Sequence, residues 1–353
     1  MRFLIPLAAA LALAACAPAP KQAEHVLTYA SPYPPSHPFS RADKEWMAGV
    51  EKASHGRIAF RPYWSGALLS NDMSMEEIRH GIADIGLITP IYAKGGAHLL
   101  RVQSGFYGGV RDISEQIAVY DCLASRFPGF GKELHGLHVL AVQGGNFPGV
   151  LTINRPIRHL EDFRGLRLRA QSDAVDVLKE LGADPVNMPM SEVYSALAKG
   201  VIDGVVAPAD TIKSLHFSEV AKHFTTIRFS RGAYPARAIS DKAWGRLPAD
   251  LQKLLAGSRK DWEAALNREL LKAEADGIAF GKTDGVDFAP LPPQEQTRFD
   301  ALYNKDALGQ AERLRSVGID GLPVFRAAQH LITSGTAAQC DIGAQSAPSG
   351  EQP

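Results

Sequence analysis

Charge imbalance, long apolar runs and cysteine are all scarce in this chain. Its 38 basic and 38 acidic side chains balance over 353 residues, so nothing supports nucleic-acid binding or an acidic or basic tail. The one long apolar run, residues 3–15 behind Arg2, is too short to span a bilayer and has the form of an export signal. Leu13-Ala14-Ala15-Cys16 matches a lipoprotein cleavage box that leaves Cys16 as a lipidated N-terminus; conventional cleavage after Ala15-Cys16-Ala17 is the alternative. Export permits disulfides, and only Cys122 and Cys340 remain to pair or to stay free. No serine stands in G-x-S-x-G, so a nucleophile elbow is absent. Gly277-Ile278-Ala279-Phe280-Gly281-Lys282-Thr283 misses the P-loop spacing by one residue and follows a helical pattern rather than a strand; it reads as a helix end. His135 and His138 have no third ligand nearby, and no metal site is expected.

What the chain does carry is an ordinary globular composition, 45% apolar and 22% charged, enough for one two-lobed unit or two domains. Residues 26–30 form a strand candidate, followed by a proline-rich loop over 31–38 that excludes helix. Ser40, with Asp43 three residues on, predicts a helix start, and Trp46, Val50 and Ala53 mark its buried stripe. Strands over 58–60 and 84–89 flank a short helix over 75–80. Alternating strands and helices predict an α/β fold with mixed, mainly parallel sheets. Pro248 opens a long helix with Leu251, Leu255, Trp262 and Leu266 on one side, and another helix runs over 293–316.

Residues 155–210 are the most informative stretch. Leu166 and Leu168 alternate with Arg167 and Arg169, so two guanidinium groups share one strand face while the leucines enter a core. Arg169 stands at the strand's carboxyl end, where open α/β sheets place ligands. Pro189 keeps Met188 out of helix, and Ser191 is placed to cap a helix whose Val193 and Leu197 face the core.

This stretch resembles the solute receptors of TRAP (tripartite ATP-independent periplasmic) transporters. The resemblance rests on Arg155-Pro156-Ile157, Asp162 through Arg169, Leu181-Gly182-Ala183-Asp184-Pro185, and Ser191 through Gly204, in the family's order and spacing, with weaker likeness over 26–331. It implies a two-lobed periplasmic-binding-protein-like fold with hinge segments and a long lobe-spanning helix. On that basis 1–16 is the signal and 17–25 a linker. The first lobe is 26–146 plus 235–274, the second is 147–234 plus 275–340, and 341–353 is a disordered tail. The implied function is periplasmic capture of a small organic acid by lobe closure, and its delivery to small and large membrane subunits, with no cofactor and no enzymatic activity. An ABC-importer receptor would share the architecture without the 191–204 pattern. An exported hydrolase or isomerase would need a nucleophile or acid–base pair in the cleft, and none is evident.

The resemblance makes Arg169 the clamp for the ligand carboxylate, a geometry its planar fork suits; the residues alone leave open a structural arginine paired with an acid, and Arg167 is expected to make a structural or rim salt bridge. Met190 is either an apolar wall of the pocket or core packing. Ala207 stands where many members have a ligand-contacting asparagine, and 147–150 lacks an arginine that many members carry shortly before Arg155. With one clamp kept and these other polar partners missing, the expected ligand is a monocarboxylate with a sizeable apolar body rather than a sialic acid or a C4-dicarboxylate. His37, Trp64 and Thr89, on loops after strands, and Asn146, Asp210 and Tyr234, near the two crossovers, are further ligand-binding candidates; exposure or ordinary packing is the alternative for each.

Overall fold

A computed structural model describes residues 23–343; the signal with Cys16, the linker before residue 23 and the tail from 344 lie outside the described residues. Strands β1 (His25–Ala30), β2 (Ile58–Tyr63), β3 (Ile85–Leu87) and β4 (Leu137–Gln143) precede a first crossing. After it come β5 (Gly149–Thr152), β6 (Arg167–Ala170), β7 (Asp184–Asn187), β8 (Gly204–Ala207) and β9 (His223–Thr226). The chain then returns through β10 (Tyr234–Ser240) and crosses again before β11 (Asp287–Pro290). One sheet has the order β2-β1-β3-β10-β4, the other β11-β9-β5-β8-β6-β7. β10 runs antiparallel to β3 and β4, and β5 antiparallel to β8 and β9, so each sheet is mixed, with β10 the reversed strand of one and β5 of the other. The remaining pairs are parallel.

Helix α1 (Pro38–Ala53) forms because Phe39, Trp46, Met47 and Val50 recur on one face and bury it. Its cap is His37, whose Nδ1 accepts from Phe39 N at 3.2 Å, and not Ser40, which lies buried inside the helix. Proline at the first helical position moves the start forward, because its fixed φ suits the helix and it has no N–H to satisfy. Asp43 is likewise no capping partner. It is fully buried and paired with Arg237 at 2.7 and 3.0 Å, while Tyr29 and the Trp262 indole donate to it at 2.5 and 2.8 Å. That network joins β1, α1 and β10 to a long helix with every partner hydrogen-bonded, the condition under which a buried ion pair is tolerated.

Helices α2 (Ile113–Arg126), α3 (Met190–Ala198) and α4 (Asp210–Ser214) follow along the chain, and the helix expected to run on from Pro248 is then two, α5 (Ala249–Gly257) and α6 (Arg259–Thr283). The break falls at Ser258, whose hydroxyl donates to Leu255 O and accepts from Trp46 Nε1, both at 2.7 Å. A side chain that competes for backbone carbonyls and is held by a neighbouring helix is a sufficient cause for the interruption. α6 packs on α1 and β4 at one end and on α4 and β11 at the other, so it spans both lobes. Gly277 lies inside α6 and is not a helix end: a Cβ there would sit 2.3 Å from Ala209 O, so only glycine lets the strut approach the N-terminus of α4 this closely.

The C-terminal third departs from the boundaries read from the sequence. Helix α7 (Pro293–Arg313) straddles the lobes, with Phe299 and Tyr303 in the core of the second and Ala307 and Ala311 in that of the first. Helix α8 (Leu322–Ser334) packs on α2 of the first lobe, not on the second, because its stripe of Val324, Ala327, Ala328 and Leu331 meets Val119 and Leu123 there. A Cys122–Cys340 disulfide, with Cα atoms 5.1 Å apart, holds the end of the chain on the same lobe. No helix among the described residues is long and apolar enough to cross a membrane.

Candidate functional site

A narrow cavity of about 50 Å³ lies between the lobes. Its walls come from the segments that follow the carboxyl ends of β1, β3, β6 and β8: Tyr33 and His37, then Thr89 and Tyr92, then Gln171, then Pro208 and Asp210. The two crossing strands close it with Asn146 and Pro148 from one and Arg231 and Tyr234 from the other. Carboxyl ends of strands facing each other across crossing segments are where α/β folds bind small molecules. Phe39, Ile91, Met190, Leu215 and Leu270 supply an apolar face.

Arg169 is fully buried one residue before the end of β6, paired in register with Val186 of β7 and Val205 of β8. Its Nε donates to Met188 O at 3.0 Å, Nη1 to Val206 O at 3.3 Å, and Nη2 to the Tyr92 hydroxyl. Met188 can offer its carbonyl because the following Pro189 holds it extended. Among the described residues Arg169 makes no ion pair, so this buried cation has only neutral acceptors. It stands directly behind the cavity wall formed by Tyr92 and Val206. Arg167, one pleat away, is half exposed and faces Asp184 at 3.5 Å.

Opposite it, the floor of the cavity is a charged cluster. Asp210, 5% exposed, opens α4; its carboxylate accepts a long hydrogen bond of 3.5 Å from Asn146 Nδ2, and its backbone N–H donates to Glu274 of α6 at 3.0 Å. Asn146 also donates to Leu270 O at 2.9 Å. Burial pushes the Asp210 carboxyl up, while the Arg231 guanidinium nearby opposes the rise. Burial, and then the neighbouring Asp210 charge, raise Glu274 to about 7. Burial, with Arg41 and Arg237 nearby, lowers His37 to about 3, so its imidazole is neutral and serves as a helix cap stacked on Tyr33 at 4.2 Å. Tyr234 is raised to about 12 by burial and accepts from Gln143 Nε2 at 2.7 Å.

Six residues expected from the sequence therefore line the cavity: His37, Thr89, Asn146, Met190, Asp210 and Tyr234. Three do not. Arg169 stands behind the Tyr92–Val206 wall and does not itself line the cavity. Trp64 is half-buried against Tyr29, ring centres 5.5 Å apart, away from the cavity. Ala207 points into the core behind β8, because alternation along the strand gives the cavity Val206 and, past it, Pro208. The Thr89 hydroxyl is already committed to Asn71 O. Ser191 does not cap α3; it lies in the first turn and accepts from Asn71 Nδ2 at 3.1 Å, across the cleft. Arg231 was not anticipated. It lines the cavity, donates to Asn146 O at 3.1 Å, and lies against Gly145, where a Cβ would come within 2.4 Å of the guanidinium. Among the described residues, then, the arginine that lines the cavity is Arg231, while Arg169 stands behind its wall. The only local hint was a charged residue beside Gly232 in the return crossing; its position depends on a glycine in the other crossing.

The family model described as bacterial extracellular solute-binding protein, family 7, matches residues 29–307. A C4-dicarboxylate-binding periplasmic protein of Rhodobacter capsulatus is 28% identical over 341 residues, 93% of this chain and 98% of that protein. A sialic acid-binding periplasmic protein of Vibrio cholerae is 26% identical over 67% of this chain and 74% of that one. Among solved structures, a TRAP solute-binding protein from Rhodoferax ferrireducens with copurified benzoate superposes with a TM-score of 0.79 at 22% identity, over 89% of this chain and 99% of that one. Another, from Bordetella bronchiseptica with bound mandelate, gives 0.76 at 22% identity, over 88% and 99%. At those identities the two structures bear on fold alone.

Proposed function

The chain belongs to family 7 of the bacterial extracellular solute-binding proteins, extracytoplasmic receptors rather than enzymes, and from that premise we propose that it captures a monocarboxylic acid with a sizeable apolar body and hands it to the membrane subunits of a TRAP transporter. The observation that carries this reading is the Arg169 guanidinium, buried at the carboxyl end of β6 with neutral acceptors only. An anion that replaces the Tyr92 hydroxyl on Nη2 gains a charge-assisted contact in a dry site. The carboxylate-bearing ligands named for the dicarboxylate-binding and sialic acid-binding relatives support that end of the ligand. The wall of Phe39, Ile91, Met190, Leu215 and Leu270 supports an apolar remainder. Tyr92 belongs to one lobe and Arg169 to the other, as do Asn71 and Ser191, so the site is complete only when the lobes are together. Ligand then favours closure by the margin with which the closed form binds it better, and the closed surface is what the small and large membrane subunits recognise.

Mass spectrometry of small molecules released from purified protein, followed by a thermal-shift screen of organic acids, tests the class, since a ligand of the native form raises its melting temperature. For an acid found this way, Arg169→Ala costs about 3–5 kcal/mol of binding and Arg169→Lys a large part of it, because a buried carboxylate is left without its fork. Unchanged affinity in both variants, or succinate bound more tightly than apolar monoacids, refutes the reading.

A further inference from the structure

The floor of the cleft refines the proposed ligand class, and this step rests on the monocarboxylate reading above. Arg231 and Asp210 line the cavity together but reach it from separate segments, the return crossing and the first residue of α4. The Asp210 carboxylate accepts a long hydrogen bond from Asn146 and has the Ser214 hydroxyl and its own backbone N–H beside it, which leaves part of its acceptor capacity open, and Arg231 makes one hydrogen bond to a backbone carbonyl. Both therefore keep unused capacity toward the cavity: an acceptor and a set of donors. Buried charged groups left with unmade hydrogen bonds are costly, so a ligand that completes both is favoured over one that completes neither.

Which ligand group completes both follows from hydrogen-bonding roles. A second carboxylate satisfies Arg231 but is repelled by Asp210. An ammonium satisfies Asp210 but is repelled by Arg231. A carbonyl only accepts, so it leaves Asp210 bare, and a C–H leaves both. A hydroxyl donates one proton and accepts at its lone pairs, so it can give to Asp210 and take from Arg231 at once. Glu274 does not line the cavity; behind the floor it accepts from the Asp210 backbone N–H. We propose that Arg231 and Asp210 read a hydroxyl on the ligand, so that the receptor selects hydroxy monocarboxylic acids over their deoxy, oxo, amino and dicarboxylic counterparts.

Isothermal titration of the purified mature protein tests this with matched probes: phenylacetate against mandelate and 3-hydroxyphenylacetate, 4-methylpentanoate against its 2-hydroxy derivative, and phenylpyruvate, phenylalanine and phenylsuccinate as the mismatched polar groups. At least one hydroxy acid binds about 10–100-fold more tightly than its deoxy partner, the range expected for hydrogen bonds to charged groups. Asp210→Asn removes the repulsion of a second carboxylate, so the ratio of phenylsuccinate to hydroxy-acid affinity rises. A wild-type protein that binds the deoxy acids as well as the hydroxy acids overturns the proposal without touching the reading beneath it. So does an Asp210→Asn variant that keeps the wild-type ratios. If no acid binds, or if Arg169→Lys leaves the affinity of a bound acid unchanged, the carboxylate reading itself fails, and this inference fails with it.

Discussion

Glu274 shows how a single side chain can make the cleft floor sensitive to pH. Its carboxyl is half-buried under α4, accepts from the Asp210 N–H, and is raised to about 7, by burial first and by the Asp210 charge second. The unfolded chain binds that proton with the ordinary carboxylate affinity, near 4.5. The stability Glu274 contributes is thus fully present below about pH 4.5 and is lost as pH rises through about 7. Glu274→Gln keeps an acceptor for the Asp210 N–H and never ionises. It should come close to wild type at pH 4 and exceed it at pH 9 by on the order of 1–2 kcal/mol, discounted for partial exposure, in denaturant titrations at both pH values. An equal difference at the two pH values would remove ionisation as its cause. Neither Glu274 nor Arg231 stood out in the sequence, whereas Arg169 did. A cation alternating with leucines before a strand end announces its face locally. A cation that lies on a glycine from another crossing, or an acid that reaches the next helix's backbone, has no local pattern. Trp64 lies off the cavity for a related reason: proximity to a strand end does not say which side of the pleat meets the cleft. Ala207, placed by the resemblance, lies on the face of β8 opposite Val206.

Helix α6 ties the cleft floor to the rest of the molecule through close backbone contact more than through side chains. Its periodic apolar residues Trp262, Ala265, Leu266 and Leu270 were legible as a buried stripe. The break at Ser258 was not, since it depends on Trp46 from α1. The glycines at 277 and 281 looked like punctuation, but they are the surface on which α4 and Phe288 rest. Gly277→Ala tests this. Alanine favours an isolated helix by about 1 kcal/mol. Here the new methyl would meet Ala209 O at 2.3 Å and Asp210 Cα at 2.9 Å, backbone atoms that cannot rotate away. The clash wins, and the variant should lose about 1–3 kcal/mol of stability by denaturant titration. It should also weaken ligand binding, because Asp210 moves with the backbone it displaces. A variant as stable as wild type would show that α4 does not rest on the strut.

On the scale of the whole molecule, two sheets are joined by two crossing strands, by α6, and by α7, whose halves belong to different cores. The α/β character was readable because strand and helix signals alternate, while the division into two lobes came from the family resemblance. The last crossing was not readable, since an amphipathic helix such as α8 advertises that it buries a face without saying against which lobe. The disulfide makes that ending permanent: Cys122 in α2 is bonded to Cys340 just beyond α8, 218 residues away, in the core behind the first sheet. A link closing so long a loop restricts the unfolded chain strongly, and is worth about 2–4 kcal/mol. No residue of that core lines the cavity, so stability and binding should separate. Cys122→Ser with Cys340→Ser should lower the melting temperature by a few degrees, given about 1–2 °C per kcal/mol for a chain of this length, while the affinity for the captured acid stays within twofold of wild type. Reductant should bring the wild-type protein down to the same temperature and leave the double variant where it is. If reductant frees both thiols and the wild-type melting temperature does not move, the bond is not what fastens the C-terminal helix to the first lobe, and the packing of α8 on α2 is sufficient by itself.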